Sequence, residues 1–120
     1  MPDKVNIEEK LSSFSDYCNP KIVGELNGQH IKIAKLKGEF VWHKHDNEDE
    51  MFLVVKGKLK IEFRDKTVEL NEKEFIIVPK GFEHKPIADE EVEIMLFEPI
   101  TTINQGDTQS DLTRITLEKI

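Results

Sequence analysis

The sequence lacks both the paired cysteines of disulfide-bonded proteins and the long apolar runs of membrane proteins. It contains one cysteine, Cys18, so no disulfide can form within the chain, and a reducing cytoplasm is the expected compartment. Its longest apolar runs, residues 51–55 and 75–78, have the length of a strand and are too short to span a bilayer. No basic segment precedes an apolar one at the N-terminus, as it would in a secretory signal. We therefore expect neither a secreted protein nor a membrane protein.

Basic side chains are also in the minority. The chain has 17 Lys and Arg residues against 24 Asp and Glu residues, which gives a formal net charge of −7. No cluster of Lys or Arg interrupts this acidic background, and an acidic surface repels phosphate backbones. Nucleic-acid binding is therefore disfavoured.

The length and composition predict one globular domain over residues 1–120, because the chain is too short for a second hydrophobic core. Its N-terminal part predicts a helix over about residues 6–18. Asn6 and Glu9 are spaced as a capping box, and Pro20 should end the helix. The apolar face that we expect to pack on the fold or on a partner subunit consists of Ile7, Leu11, Phe14 and Cys18.

From residue 21 to about residue 99 the pattern changes to short alternating runs, which are typical of β-strands. Asn27-Gly28 favours a tight hairpin, and Gly38 interrupts the next run. Further strands are expected at 51–55, at 67–70 and, as a buried strand, at 74–78. Apolar residues that alternate with polar ones, and so form expected buried faces, are Ile31, Ile33 and Leu36, then Leu59, Ile61 and Phe63, then Val92, Ile94 and Leu96.

Many short strands without helices between them predict an all-β fold, an antiparallel sandwich or a closed barrel. Residues 100–120 are polar and predict a C-terminal loop or tail that ends in a weak strand or helical turn.

The segment with the strongest chemical signal is 42–50. His43 and His45 are two residues apart, so on a strand their imidazoles point to the same side, and neutral imidazoles bind first-row metals. Glu50 can add a carboxylate as a further ligand. It is favoured over the other acids of this loop because it lies two residues before Phe52, so both are expected to point to the same side of the strand. The alternative ligands in this loop are Asp46, Glu48 and Asp49, and a solvated pair of histidines is the simpler reading of this segment alone.

A second element, 79–84, follows the strand predicted at 74–78. Pro79 and Gly81 predict a turn that brings His84 back toward the barrel interior. The fourth histidine, His30, lies beside the predicted hairpin and is expected on the surface. Trp42 has the opposite parity to the histidines, so we expect it outside the site.

Together these residues resemble the two motifs of the cupin superfamily, and the resemblance covers about residues 35–99. His43, His45, Glu50 and Gly57 match the first motif, in which Gly38 stands one residue too close to His43. The second motif is matched by Pro79, Gly81 and His84, while Lys73 replaces its first Gly and Ala88 its final Asn.

The resemblance implies an antiparallel double-stranded β-helix, the jelly-roll barrel of cupins, with a short N-terminal helix. It also implies one divalent metal ion, Zn, Mn, Fe, Ni or Co, held by His43, His45, Glu50 and His84. The chain is most similar to small bacterial single-domain cupins of the kind labelled mannose-6-phosphate (phosphomannose) isomerase-like. Such cupins commonly form homodimers, to which Ile7, Leu11 and Phe14 are expected to contribute.

The function that these features favour is a metal-dependent enzyme acting on a small chelating hydroxy- or keto-acid, by Lewis-acid or oxygen chemistry. Glu50 is the candidate catalytic base. No Arg or Lys is predicted inside the barrel, which argues against a phosphorylated sugar as substrate. The alternatives are a module that binds a small ligand without turnover, and a metal with a structural role only.

Overall fold

The computed structural model of the chain describes residues 2–102 and 116–120. Within these residues one short helix precedes seven strands. The elements are α1 (Ile7–Leu11), β1 (Lys21–Leu26), β2 (Gln29–Glu39), β3 (Glu50–Lys56), β4 (Leu59–Phe63), β5 (Thr67–Leu70), β6 (Phe75–Val78) and β7 (His84–Pro99).

The strands form antiparallel ladders in the order β1-β2-β7-β3-β6, and β4 joins β5 to β7. The long strand β7 connects the two parts of this arrangement. Its first half pairs with β4, and its second half lies between β2 and β3. The predicted all-β, antiparallel class with a short N-terminal helix is confirmed.

The core consists of inward-facing apolar residues from the six strands β2 to β7. Leu59 and Ile61 of β4, with Val92 and Ile94 of β7, are buried as their alternation predicts. They pack with Phe52 and with the other members of the cluster, which are Ala34, Leu36, Val54, Leu70, Val78, Ala88 and Leu96.

The helix is shorter than the predicted span of 6–18. Asn6 caps it through a hydrogen bond from the Glu9 N–H to Oδ1, as predicted, but the helix ends at Leu11. Ser12 and Ser13 follow, and their hydroxyls donate to the carbonyls of Glu9 and Lys10, which competes with further helical turns. No helix in the described part of the chain is long and apolar enough to cross a membrane.

The buried face of β2 differs from the prediction. The residues that point into the barrel are Lys32, Ala34 and Leu36, whereas Ile31 lies on the outer side and is only half-buried. Ile33 is also on the outer side, where it is completely buried. The strand continues through Gly38, which has a φ of 86° and marks a register shift rather than a break.

Strand β6 is not the buried strand that its composition predicts. It is the edge of the sheet beyond β3, and the side chains of Phe75 and Ile77 are 59% and 57% exposed. Val78 alone in this strand is fully buried, because it points inward.

The predicted hairpin at Asn27-Gly28 is present, and both residues have a positive φ, of 50° and 77°. The segment 103–115, which holds most of the predicted C-terminal loop, lies outside the described residues. At the end of the chain, Glu118 and Ile120 exchange backbone hydrogen bonds with Ile22 of β1.

Candidate metal centre

A two-residue backbone bridge brings the two histidine motifs together. The N–H of His43 donates to the carbonyl of His84 at 3.0 Å, and the N–H of His84 donates to the carbonyl of His43 at 2.9 Å. His84 begins β7, while His43 lies in the connection between β2 and β3. The bridge holds the two rings with centroids 4.3 Å apart.

The turn between β6 and β7 holds the rest of the ligand loop in place. Gly81 has a φ of 84° and donates its N–H to the carbonyl of His45 at 2.8 Å. The N–H of Lys80 donates to Oδ1 of Asp49 at 2.9 Å. A glycine suits this position because a residue with a Cβ rarely adopts that φ.

All four predicted ligand residues meet inside the barrel. His43, His45, Glu50 and His84 each offer a ligand atom, and these atoms lie within 4.8 Å of one another. Their exposed fractions are 3%, 3%, 3% and 0%. A metal with bonds of about 2.1 Å keeps two ligand atoms on its opposite sides about 4.2 Å apart, so a pair at 4.8 Å would have to move about 0.6 Å closer on binding.

Backbone carbonyls set the orientation of two of the rings. Nδ1 of His43 lies 2.8 Å from the carbonyl oxygen of Val41, and Nδ1 of His84 lies 2.9 Å from that of Phe82. A carbonyl only accepts, so each Nδ1 carries the proton, and Nε2 of the neutral ring keeps a free lone pair. This is the arrangement in which histidine binds a metal through Nε2.

His45 differs from the other two histidines of the cluster in its hydrogen bonding. Both of its ring nitrogens are buried without a hydrogen-bond partner, although Nε2 lies 3.3 Å from Oε1 of Glu50. Buried polar atoms are nearly always paired, since an unpaired one costs about 1–3 kcal/mol. A cation between His45 and Glu50 would give Nε2 of this ring a partner, so the residues present fit a metal ion.

Glu50 supplies the negative charge of the centre. Its Oε1 lies 3.4 Å from Nε2 of His84 as well as 3.3 Å from Nε2 of His45. Burial by itself would raise the pKa of this carboxyl, but contacts with Glu98 and the two imidazoles hold it well below its ordinary value. The group is therefore a carboxylate, the form that binds metals.

Burial keeps His43 in the metal-binding form as well. Its pKa falls from 6.5 to about 4, first because the ring is desolvated and second because His84 lies beside it. At neutral pH the imidazole is uncharged, with a lone pair available on Nε2.

The other candidates of the sequence lie elsewhere. Asp46 is exposed and pairs with Lys44 at 3.4 Å, Glu48 accepts from Thr101 at 3.1 Å, and Asp49 serves the turn described above. His30 is half-buried in β2, opposite Glu98 in the register, and is not part of the cluster.

Trp42 also lies outside the cluster, as its parity predicts. The guanidinium of Arg64 stacks over its indole ring at 3.8 Å from the centroid, and Lys85 lies 5.7 Å from the same centroid.

A small, mainly apolar cavity adjoins the ligands. His43 and Glu50 form its polar part, and its remaining walls are Cys18, Pro20, Ala34, Leu36, Phe40, Phe52, Pro86, Ile94 and Leu96. The space within it that a solvent molecule can occupy, about 30 Å³, suits about one water molecule. Cys18, predicted to lie on the helix, is in fact beyond it and forms part of this wall.

The sequence patterns missed two buried charges next to the site. Nζ of Lys32 lies 2.8 Å from Oε1 of Glu98, and both side chains are almost completely buried. The prediction that no Lys or Arg lies inside the barrel was therefore wrong. Alternation alone could have placed Lys32 and Glu98 on inward faces, had Ala34 and Leu36 been used to set the parity of β2.

Burial and the charge of Glu50 raise the pKa of Glu98 well above its ordinary value. Glu98 lies opposite Glu50 across the ladder of β3 and β7, so ionisation of one carboxyl group disfavours ionisation of the other.

An antiparallel β fold with three imidazoles and one carboxylate converging inside it is typical of β-barrel proteins that could hold a metal ion. The comparison with protein families agrees and is more specific, because residues 30–99 match the family model described as "Cupin domain". The chain belongs to the cupin family.

A curated relative also matches this chain, but it is uncharacterised and so suggests no activity. The uncharacterised protein YdbB of Bacillus subtilis (strain 168) is 35% identical over 80 residues, which are 66% of this chain. The match spans 65% of the length of that relative.

Two solved structures are similar over most of the chain. A cupin-2 domain containing protein from Shewanella frigidimarina NCIMB 400 is 44% identical, with a TM-score of 0.78, and the match covers 79% of this chain and 93% of that one. Protein NMB1881 from Neisseria meningitidis is 26% identical, with a TM-score of 0.75, and the match covers 81% of this chain and 99% of that one.

Proposed function

We propose that the protein binds one divalent first-row metal ion through His43, His45, Glu50 and His84, and uses it to act on a small chelating organic molecule of the hydroxy- or keto-acid type. The observation that carries the proposal is the buried cluster of four ligand atoms within 4.8 Å of one another. Zn, Mn, Fe, Ni and Co all suit three imidazoles and one carboxylate.

The residues of the chain have separate parts in this function. The Nε2 atoms of His43 and His84 are aimed by their backbone hydrogen bonds, and Glu50 offsets part of the charge of the cation. When bound, the metal supplies Lewis-acid activation of a chelated oxygen, or redox chemistry if it is iron. Glu50 is the candidate base for a proton on the bound ligand, because its carboxylate lines the same cavity as the imidazole of His43.

The cavity restricts the ligand to a small molecule. Its walls are mainly apolar, and the space within it that a solvent molecule can occupy is only about 30 Å³, which favours a small ligand. Lys32 is a buried cation of the described residues beside the site, and its ammonium already contacts Oε1 of Glu98 at 2.8 Å. An acidic group of the ligand would therefore bind to the metal, which favours a chelating acid over a phosphorylated sugar.

Elemental analysis of protein purified without added metal tests the binding step. We expect about one equivalent of metal in the parent and little in His43→Ala or His84→Ala, since each variant removes one of four ligands. His30→Ala is the matched control, because it removes the histidine outside the cluster, and it should keep the metal. Equal metal content in all four proteins would refute the site.

A screen of hydroxy acids, keto acids and diketones tests the catalytic step. We expect turnover that a chelator abolishes and that added metal restores. Activity that survives metal removal would refute metal-dependent catalysis. Binding of an acid without turnover, seen by calorimetry, would instead support the ligand-binding module.

We further propose that the protein is a homodimer, through a face other than the predicted helix face. Leu11 is 1% exposed within its own chain, and Phe14 packs beneath the ammonium groups of Lys21 and Lys35, so this face is already occupied. The outer side of the sheet is instead exposed to solvent near its edge strand, β6. There, apolar side chains stand in register across neighbouring strands, which are Ile31, Phe97, Met51 and Ile77 in one row and Met95, Leu53 and Phe75 in the next.

Charge favours a second copy as the partner of this outer face. The chain carries a net charge of −7, so two copies repel each other over most of their surfaces. The two rows contain no charged residue, and an uncharged apolar face is complementary to itself, as a two-fold symmetric interface requires.

A further inference from the structure

Three buried ionisable side chains form a line that leads from the sheet to the metal centre. Lys32, Glu98 and Glu50 belong to β2, β7 and β3, which are neighbours in the sheet. The register places Met51 opposite Phe97, so Glu50 and Glu98 face each other across the ladder on the inner side. Lys32 pairs with Leu96, two residues from Glu98 on the same side.

The oxygen atoms of the two carboxyl groups have separate partners. Oε1 of Glu50 lies 3.3 Å from Nε2 of His45 and 3.4 Å from Nε2 of His84, and the ladder places the Glu50 side chain beside that of Glu98. Oε1 of Glu98 accepts from Nζ of Lys32 at 2.8 Å, while its Oε2 is buried without a hydrogen-bond partner among the described residues. The line therefore runs from the ammonium of Lys32, through the carboxyl group of Glu98, to the neighbouring Glu50.

Stability is a weak explanation for this line. Taking an ammonium and a carboxyl out of water costs several kcal/mol per ion, about what their attraction returns, and well-packed apolar residues often replace such a pair without loss. Lys32 and Glu98 are 2% and 1% exposed, so their desolvation is nearly complete. Their contact with a metal ligand suggests a role in the site instead.

We propose that Glu98, held by Lys32, is a positioning residue that fixes the Glu50 carboxylate with Oε1 directed at the metal, and that this pair sets the affinity and the coordination geometry of the centre. The inference rests on the proposed metal binding and adds two residues that the cupin motifs do not include. Lys32 acts only through Glu98, and neither residue is proposed as a ligand. Without the pair, Glu50 could rotate away from the imidazoles, and the metal would lose an oriented ligand.

Four variants separate positioning from packing. Lys32→Met combined with Glu98→Leu removes the pair and leaves no unpaired charge, and Lys32→Met alone removes the anchor of Glu98. Glu98→Gln is the conservative variant, because its amide can donate to Glu50 and accept from Lys32. Ile61→Val is the packing control, since Ile61 is fully buried in β4.

Zn²⁺ affinity, from competition with a chromophoric chelator, and the visible absorption spectrum of Co²⁺-loaded protein give two readouts that a purely structural role would not change. We expect the double variant to fold and to bind Zn²⁺ about 10- to 100-fold more weakly, with an altered cobalt spectrum. Lys32→Met should show a smaller loss in the same direction. Glu98→Gln and Ile61→Val should stay within about threefold of the parent, with the parent's spectrum.

The result that would overturn the inference is parent-like affinity and spectrum in the double variant, or in Lys32→Met if the double variant does not fold. A Glu98→Gln variant as weak as the double variant would also overturn it. Failure of the proposed function itself is distinguishable, because the parent would then bind no Zn²⁺, or His84→Ala would bind it equally well.

Discussion

At the scale of single residues, the imidazole of His43 combines neutrality with nearly complete burial. Its pKa is about 4 in the folded protein, because of burial and of the neighbouring His84, against 6.5 in an unfolded chain. As the pH falls, the unfolded chain therefore takes up this proton before the folded one does.

The metal-free protein should consequently lose stability as the pH falls from about 6.5 toward 4, by up to about 1.4 kcal/mol per pH unit from this residue. Urea unfolding at several pH values in the presence of a chelator measures the effect. His43→Asn should flatten the profile in this window. A profile that is equally steep in both proteins would show that other groups cause the pH dependence.

Glu50 and Glu48 form a matched pair of acidic residues for a second prediction. Glu50→Gln should weaken Zn²⁺ binding by more than about 100-fold, since it removes a ligand charge and losses around the ligands alone reach about 10- to 100-fold. Glu48→Gln should leave the affinity unchanged, because Glu48 contacts Thr101 and not the imidazoles. Calorimetric titration with Zn²⁺ compares the two, and equal affinities would contradict the assignment of Glu50.

At the scale of the elements, the turn between β3 and β4 depends on Gly57. Its φ is 98°, and a Cβ there would lie 3.0 Å from the carbonyl oxygen of Glu91 and 3.3 Å from Cα of Val92. In the hairpin between β1 and β2, Gly28 has a φ of 77°, but a Cβ there would meet nothing within 4 Å. The two glycines therefore separate backbone strain from steric clash.

Gly57→Ala should lower the free energy of unfolding by about 2–3 kcal/mol, because strain and clash act together. Gly28→Ala should cost about 1 kcal/mol, from the positive φ alone. Thermal or urea unfolding of both variants tests the difference. A larger loss in Gly28→Ala would contradict the close contact of the Gly57 turn with β7.

Elements that are determined by neighbouring residues could be predicted from the sequence, whereas features that depend on the rest of the fold could not. The hairpin at Asn27-Gly28 and the alternation in β4 follow from neighbouring residues, and the sequence predicted both. The end of the helix at Leu11 was missed, because the apolar spacing continues to Cys18 although the chain has already turned. The exposure of β6 was missed because an apolar run does not reveal that its strand lies at an edge.

At the metal centre, too, local sequence patterns could be read, but long-range pairings could not. His43, His45, Glu50 and His84 could be named together because their spacing resembles two cupin motifs, and the structure places all four within one cluster. Lys32 was not recognised as an interior residue, because Ile31 and Ile33 were used to set the parity of β2. Its pairing with Glu98, 66 positions away along the chain, could not be read from neighbouring residues at all. Pairings over such a distance are set by strand order, which local patterns do not give.

At the scale of the whole molecule, the open apolar face on the outer side of the sheet leads to a prediction about assembly. Sedimentation at micromolar concentration should give about twice the 13.9 kDa of one chain. Ile77→Lys should shift the protein toward the monomer, because it places a charge within one of the uncharged rows.

Val5→Lys is the matched control for that shift. Val5 is 45% exposed, and the variant adds the same charge near the N-terminus, outside the two rows, so the dimer should remain. A parent that sediments as a monomer would refute the dimer. Equal dissociation by the two variants would refute this face as its interface.

The central claim about the molecule is that three imidazoles and one carboxylate hold a metal inside the barrel. X-ray absorption spectroscopy of the Zn²⁺-loaded protein tests it most directly. The expected spectrum shows nitrogen and oxygen neighbours at about 2.0–2.2 Å, with the outer-shell scattering of three imidazole rings. A spectrum without imidazole scattering, or with sulfur at about 2.3 Å from Cys18 in the cavity wall, would contradict the claim.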